Sequence, residues 1–211
     1  VSAFAVTPDG RVLARFDEAE RTILLSLSHQ FSELLAQSGT APSGGDPAIA
    51  RLFPDAYRDD PEASDEFRRF TRQDLAAAKI AAASTVQEAL AGAPAGGSAS
   101  AGSTGDGIVL DAAAGWSWLR HLTDVRLTIA ARLGIVDDPH AFDDDPDPDL
   151  LSEDDLLARS VFDWIGYVQE LLIGALEDAG GMDTEGSPAN GEDADGSDTG
   201  GGAAGPSSPA E

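Results

Sequence analysis

Residues 152–176, SEDDLLARSVFDWIGYVQELLIGAL, decide the fold. Leu156, Leu157, Val161, Ile165, Val168, Leu171, Leu172 and Leu176 recur at steps of one, three and four, which gathers apolar side chains on one face of an α-helix. Ser152 stands where an N-cap belongs. A long amphipathic helix of this kind is stable only if other elements cover its stripe.

Working outward, the same pattern returns three times. Asp111 caps a segment carrying Trp116, Leu119, Leu122, Val125, Ile129 and Leu133, with Gly134 placed as its C-terminal stop. Thr71 is read as the cap of a helix carrying Leu75, Ala78, Ala82, Val86 and Leu90, preceded by a separate short helix over 62–70. Asp17 and Glu20 have the spacing of a capping box ahead of Ile23, Leu24, Leu27, Phe31, Leu34 and Leu35, a stripe ending near Gln37. Asp46-Pro47 carries the cap-then-proline signature of a short helix through Leu52, stopped before Pro54. At the start, Phe4–Val6 and Val12–Phe16 flank Pro8-Asp9-Gly10 and read as a small hairpin. The fold class is therefore all-α: a compact multi-helix domain with a small N-terminal β-hairpin and a disordered acidic C-terminal tail.

Composition divides the chain in the same way. Of 211 residues, 42% are hydrophobic, enough for a core, while the 23 Gly and 12 Pro crowd into a few segments. The helical domain is expected over 1–178, with a flexible Gly/Ala/Ser insert at 92–107, an acidic Asp/Pro loop at 137–152 and a disordered Gly/Asp-rich tail at 179–211. The formal charge is −25, from 38 acidic against 13 basic residues. That excess argues against direct nucleic-acid contact, since the cations needed to neutralise phosphates are missing. No apolar run long enough to span a membrane and no basic-then-apolar leader is present, so a cytoplasmic location with no membrane contact is expected. Cysteine is absent, which removes disulfides, thiolate metal sites, cysteine nucleophiles and thiol switching.

Few residues invite chemistry. Helical projection sets Arg126 inside the apolar arc of its segment, Lys79, the only lysine, between Leu75, Ala82 and Val86, and Glu20 on the stripe of the first helix. Because an isolated ion in a core costs several kcal/mol or more, Arg126 and Lys79 are expected to form a buried structural network with acids such as Glu20, or to snorkel outward along their stems. The alternative is a desolvated, activated Lys79. The acidic run Asp143–Asp149 fails the EF-hand pattern, which wants Gly and Glu where Pro148 and Asp154 stand. His121 with Asp124, His140 beyond them, and His29 with Glu33 supply too few convergent ligands for a metal. No nucleophile elbow, P-loop or dinucleotide fingerprint appears. Neither a metal nor a cofactor is expected, and no catalytic residue is assigned. The densest cation group is Arg68, Arg69 and Arg72, interleaved with Phe67 and Phe70 beside Tyr57 and Arg58. It reads either as a partner-binding patch, because aromatic and Arg side chains make good anchors, or as local pairing with Asp55, Asp59, Asp60, Glu62 and Asp65.

Residues 46–61 (DPAIARLFPDAYRDDP) and 66–71 (EFRRFT), then 122–127 (LTDVRL), 132–135 (RLGI) and 162–170 (FDWIGYVQE), resemble an actinobacterial family called domain of unknown function 2017. The likeness covers about residues 4–178. It implies a small all-helical cytoplasmic protein, often encoded beside the adaptor of the Clp protease, and the family includes AosR-like oxidative-stress transcriptional regulators that act with a stress sigma factor through a cysteine-pair switch. This chain, without cysteine, departs from the family at that switch. The resulting expectation is a non-enzymatic regulator working by protein–protein contact, with a stress sigma factor or RNA polymerase as partner. The alternatives are an accessory factor of Clp-type proteolysis and an enzyme built on Lys79 and carboxylates.

Overall fold

The computed structural model describes residues 3–38, 46–57, 59–92, 107–135 and 151–185. The 137–150 part of the acidic loop, residues 93–106 of the insert, residues 186–211, Arg58 and His140 lie outside the described residues.

Strands β1 (Ala3–Val6) and β2 (Val12–Arg15) pair antiparallel, Phe4 opposite Ala14 and Val6 opposite Val12, as the hairpin reading expects. Gly10, at φ 75°, supplies the left-handed residue of the turn. The hairpin is not alone. Strand β3 (Ile108–Leu110) adds to the other edge of β2, with Leu110 opposite Val12 and Ile108 opposite Ala14. A Cβ at Gly107 would sit 2.6 Å from Leu13 Cδ1 and 2.9 Å from the Ala14 carbonyl oxygen, so the chain can enter β3 this closely only as glycine.

Five helices follow the capping chemistry of the sequence. In front of α1 (Glu18–Ser38), Asp17 Oδ1 accepts the Glu20 N–H and Glu20 Oε2 accepts the Asp17 N–H, both at 2.9 Å. Asp46 caps α2 (Pro47–Leu52) by accepting from the Ala48 N–H, and Asp111 caps α4 (Ala112–Arg132) by accepting from the Ala114 N–H. Past α4, Gly134 at φ 68° lets the Ile135 N–H return to the Ala130 carbonyl, closing a Schellman motif. Helix α3 corrects the two-helix reading, because it runs unbroken from Pro61 to Gly92. Thr71 does not cap it. Its hydroxyl donates 2.9 Å back to the Phe67 carbonyl, a bond available inside a helix. Helix α5 (Glu153–Glu185), with Ser152 Oγ accepting the Asp155 N–H, continues past residue 178, where the tail was expected to begin. Among the described residues no helix is long and apolar enough to cross a membrane.

Helix α4 lies at the centre, packed against α1, α2, α3 and α5, and the sheet leans on α5. Leu24, Phe31 and Leu35 of α1, Val86 and Leu90 of α3, Leu122 and Val125 of α4, and Ile165, Val168 and Leu172 of α5 form one continuous core. The sheet joins it through aromatic rings: Phe4 meets Phe16 edge-on, and Phe16 stacks on Trp118, each pair 5.7 Å between centroids. This reverses the sequence reading of α4. Trp118 is fully buried, whereas Trp116, placed on the stripe, is 51% exposed. Projected at about 100° per residue, Trp118 falls on the face shared by Leu122 and Val125, where it also meets the Phe16 ring, while Trp116 lies on the roughly opposite face. Leu156 and Leu157 are likewise exposed, as outer ends of their stripe.

Trp118→Ala is expected to cost about 3–5 kcal/mol of unfolding free energy in urea titrations, and Trp116→Ala no more than about 0.5 kcal/mol. Equal losses would contradict this division of the two indoles.

Candidate functional site

Two polar ties cross the centre of the domain. Lys79 Nζ of α3 donates to Asp124 Oδ1 of α4 at 2.6 Å, largely shielded from solvent. Burial pushes the Asp124 carboxyl above its ordinary value, against the opposing pull of the Lys79 hydrogen bond and charge. Eight residues further along α3, Gln87 Nε2 donates to the Ser28 carbonyl of α1 at 2.9 Å, and Ser28 Oγ shares a 2.8 Å hydrogen bond with His121 Nε2 of α4. The His121 ring also meets Phe31 edge-on. Burial depresses its pKa to about 4.

The expected network of Glu20, Lys79 and Arg126 does not form. Glu20 serves the capping box, Lys79 takes Asp124, and Arg126 lies 4.3 Å over the Phe162 ring with no hydrogen bond to its buried Nε. Helical projection places a side chain on an arc but leaves open which neighbour occupies it. Asp124 and Ser28 are the residues that the sequence reading missed as partners. Asp124 had been weighed with His121 for metal, yet its carboxylate turns to Lys79; Ser28 lies on the α1 stripe between Leu24 and Phe31, and that placement was its signal. Ser28 and His121 are each only 1% exposed, so this hydroxyl–imidazole pair ties α1 to α4 and offers no nucleophile to a substrate. Among the described residues, no group of three or more His, Cys, Asp or Glu side chains is placed to hold a metal.

Of the aromatic and Arg patch, Phe67, Arg68 and Arg72 line one groove beside Tyr57, Arg69 and Phe70 lie outside its lining, and Arg58 lies outside the described residues. Asp60 Oδ1 accepts the Ala63 N–H at the start of α3. Ser64 Oγ donates to the Tyr57 carbonyl at 2.7 Å and accepts the Tyr57 N–H at 3.0 Å, pinning the segment after α2 onto that first turn. Tyr57 then meets Phe67 edge-on at 6.2 Å. A groove of about 250 Å³ opens between the two segments, with Phe53, Pro54 and Leu75 as its apolar wall and Arg68, Arg72 and Lys79 along it. Arg68 pairs with Asp55 and, at 2.8 Å, with Asp65, so local pairing holds for Arg68. Arg69 lies 5.2 Å over Phe70, and Arg72 lies 5.3 Å over Phe53. Tyr57, Phe67, Phe70 and Leu75 are each 44–65% exposed, an unusual density of large apolar side chains in water.

Two outcomes follow from the central ties. His121 is neutral when folded and takes up a proton near its ordinary 6.5 when unfolded, so stability is greatest above 6.5 and declines as pH falls towards about 4. Between pH 7 and pH 5 the loss should be about 2 kcal/mol in urea titrations, and His121→Gln should abolish most of that difference. Asp124 has the opposite sign: its raised carboxyl holds a proton more tightly in the folded state, so its contribution falls as pH rises above 3.8. Lys79→Met and Asp124→Leu should each cost about 2–3 kcal/mol, and the double variant clearly less than their sum. Simple additivity would remove the pair from the account.

No curated protein and no solved structure matches this chain. The blocks that carry the family resemblance hold the working parts of the fold: residues 46–71 build the groove, and 122–135 and 162–170 build the α4–α5 contact. A family model described as a domain of unknown function, DUF2017, matches residues 1–176 of the 211, and the chain belongs to that family.

Proposed function

We propose that this protein is a non-enzymatic regulator that acts by protein–protein contact through the groove between the 53–57 segment and the first half of α3. The observation that carries this reading is the pair of exposed apolar side chains, Phe67 and Leu75, that line this groove with Arg68 and Arg72, beside the exposed Tyr57 ring. Such a surface has the composition of an interaction hot spot, where large rings supply contact area and guanidinium groups supply directional hydrogen bonds. The loop is held in place before any partner arrives, by the paired bonds of Ser64 to Tyr57 and by the Arg68 ion pairs. Preorganisation of this kind lowers the ordering cost of binding.

Transcription control in oxidative stress is the finer reading, taken from the regulators that the family includes. In this chain the response would come from a partner's chemistry, because no thiol is present to be oxidised. With a net charge of −25, the molecule would reach a promoter through a sigma factor or RNA polymerase rather than by touching DNA.

The test is binding of the full chain to the stress sigma factor and to RNA polymerase of the source cells. Phe67→Ser combined with Leu75→Ser should weaken capture at least tenfold while leaving the thermal midpoint within a few degrees. Unchanged capture by a folded variant would remove the groove from the proposal, and no capture by the unaltered chain would remove the transcriptional reading.

A further inference from the structure

Arg126 occupies a seat on α5 that a glycine, Gly166, holds open. A Cβ on Gly166 would lie 3.0 Å from both Cζ and Nη2 of Arg126 and 3.3 Å from Nη1, so the guanidinium rests directly on the bare backbone of α5. Phe162, one turn earlier, lies 4.3 Å from Cζ. Glycine in the interior of a helix costs about 1 kcal/mol relative to alanine, and here it makes room for a cation. The fork is fixed between a ring and a backbone, yet among the described residues no carboxylate lies within ion-pair distance of it. Nε is buried without a hydrogen bond, while the side chain as a whole is only partly buried. A planar, immobilised pair of donors with no counter-ion fits a carboxylate.

The surroundings extend this seat into a seam. Trp116, Leu119, Thr123 and Arg126 follow one another at helical spacing along α4, and Phe162, Gly166, Gln169 and Ile173 do so along α5. The two rows run antiparallel and side by side. Gln169 Nε2 donates to Thr123 Oγ1 at 2.8 Å, Arg126 rests on Gly166, and the register that these contacts set brings Leu119 level with Ile173. Gln169 Oε1 is buried without a partner, a second unanswered polar atom in the same seam. At the far end, Trp116 and Ile173 are both more than a third exposed. Ten residues separate Trp116 from Arg126, about 15 Å along the helix axis.

We infer that the α4–α5 seam is a second protein-docking face, one that receives a helix of another protein carrying an Asp or Glu side chain to Arg126 and an apolar side chain, two to three turns away, to Trp116 and Ile173. The Arg126 guanidinium calls for a single carboxylate from the partner, whereas a second copy of the chain would bring a net charge of −25 against an equal charge. The face is separate from the groove at α3 and does not depend on the reading of that groove.

A photo-crosslinking residue at position 123 of the full chain, activated in the source cells and followed by mass spectrometry, tests the inference. The expected product joins position 123 to a segment of a different protein with an acidic residue within about three turns of an apolar one. Its yield should fall at least fivefold in Arg126→Gln, recover in part in Arg126→Lys, and fall in Gly166→Ala, which displaces the guanidinium while improving helix propensity. Phe70→Ser, on the other face, should leave it unchanged. Circular dichroism and thermal melts establish that each variant is folded. A crosslink to a second copy or to the chain itself, a crosslink unaffected by Arg126→Gln, or none at all would overturn the inference.

Discussion

Helix α4 can occupy the middle of this domain only because its inward polar groups are matched, and the bond between Lys79 and Asp124 is the tightest of those matches. At 2.6 Å, it joins α3 to α4 at a depth where either charge alone would be costly. Helix α3 then has little freedom to rotate, since a turn in either direction would withdraw Lys79 and leave a buried carboxylate. The Gln87–Ser28–His121 chain fixes a second point on the same helix and brings in α1. Two points define a line. With α3 held along that line, its early turns carry Phe67, Arg68 and Arg72 to the place where the 53–57 segment completes the groove.

Hydrophobic burial supplies the larger share of the driving force, but it does not choose among rotations as sharply. Leu122, Val125, Ile165, Val168 and Leu172 would remain buried under small shifts of one helix past another, because dispersion and desolvation are nearly non-directional. A hydrogen bond between charged groups is not so tolerant. The polar ties therefore act as register marks inside a core that aliphatic side chains alone would leave less specified.

Much of this was legible in the sequence, because local chemistry is local. The capping box of Asp17 and Glu20, the Asp46-Pro47 start, the Asp111 cap and the Gly134 stop all act within one turn of chain, and each forms as its residues suggest. Where the reading failed, tertiary context decided. Three residues from Ile108 to Leu110 carry too little periodicity to announce a strand, and only the free edge of β2 makes them one. Thr71 has the same propensity for capping as for bonding back to Phe67, and the continuous packing of α3 settles which. Trp116 and Trp118 stand about 200° apart around α4, and the phase of Leu122 and Val125 already favours Trp118 as the buried one. At the polar residues, helical projection correctly drew Lys79 and Arg126 toward the interior but could not name Asp124, Phe162 or Gly166 as what they would meet. The aromatic and Arg patch was visible as a run of residues. Its groove was not, because the pinning of Tyr57 by Ser64 joins two segments across a turn.

The placement of β3 carries a consequence for the order in which the molecule is made. Strands β1 and β2 leave the ribosome well before β3, since the partner of Val12 and Ala14 is not synthesised until Ile108 and Leu110 appear, after α1, α2 and α3. A two-strand ribbon is marginal in water, and closing so long a loop adds an entropic charge that grows with its length. Residues 3–15 thus reach their final geometry only after the three helices that follow them have been made. Through the Phe4–Phe16–Trp118 aromatic stack, completion of the sheet also marks the point at which α4 is in place.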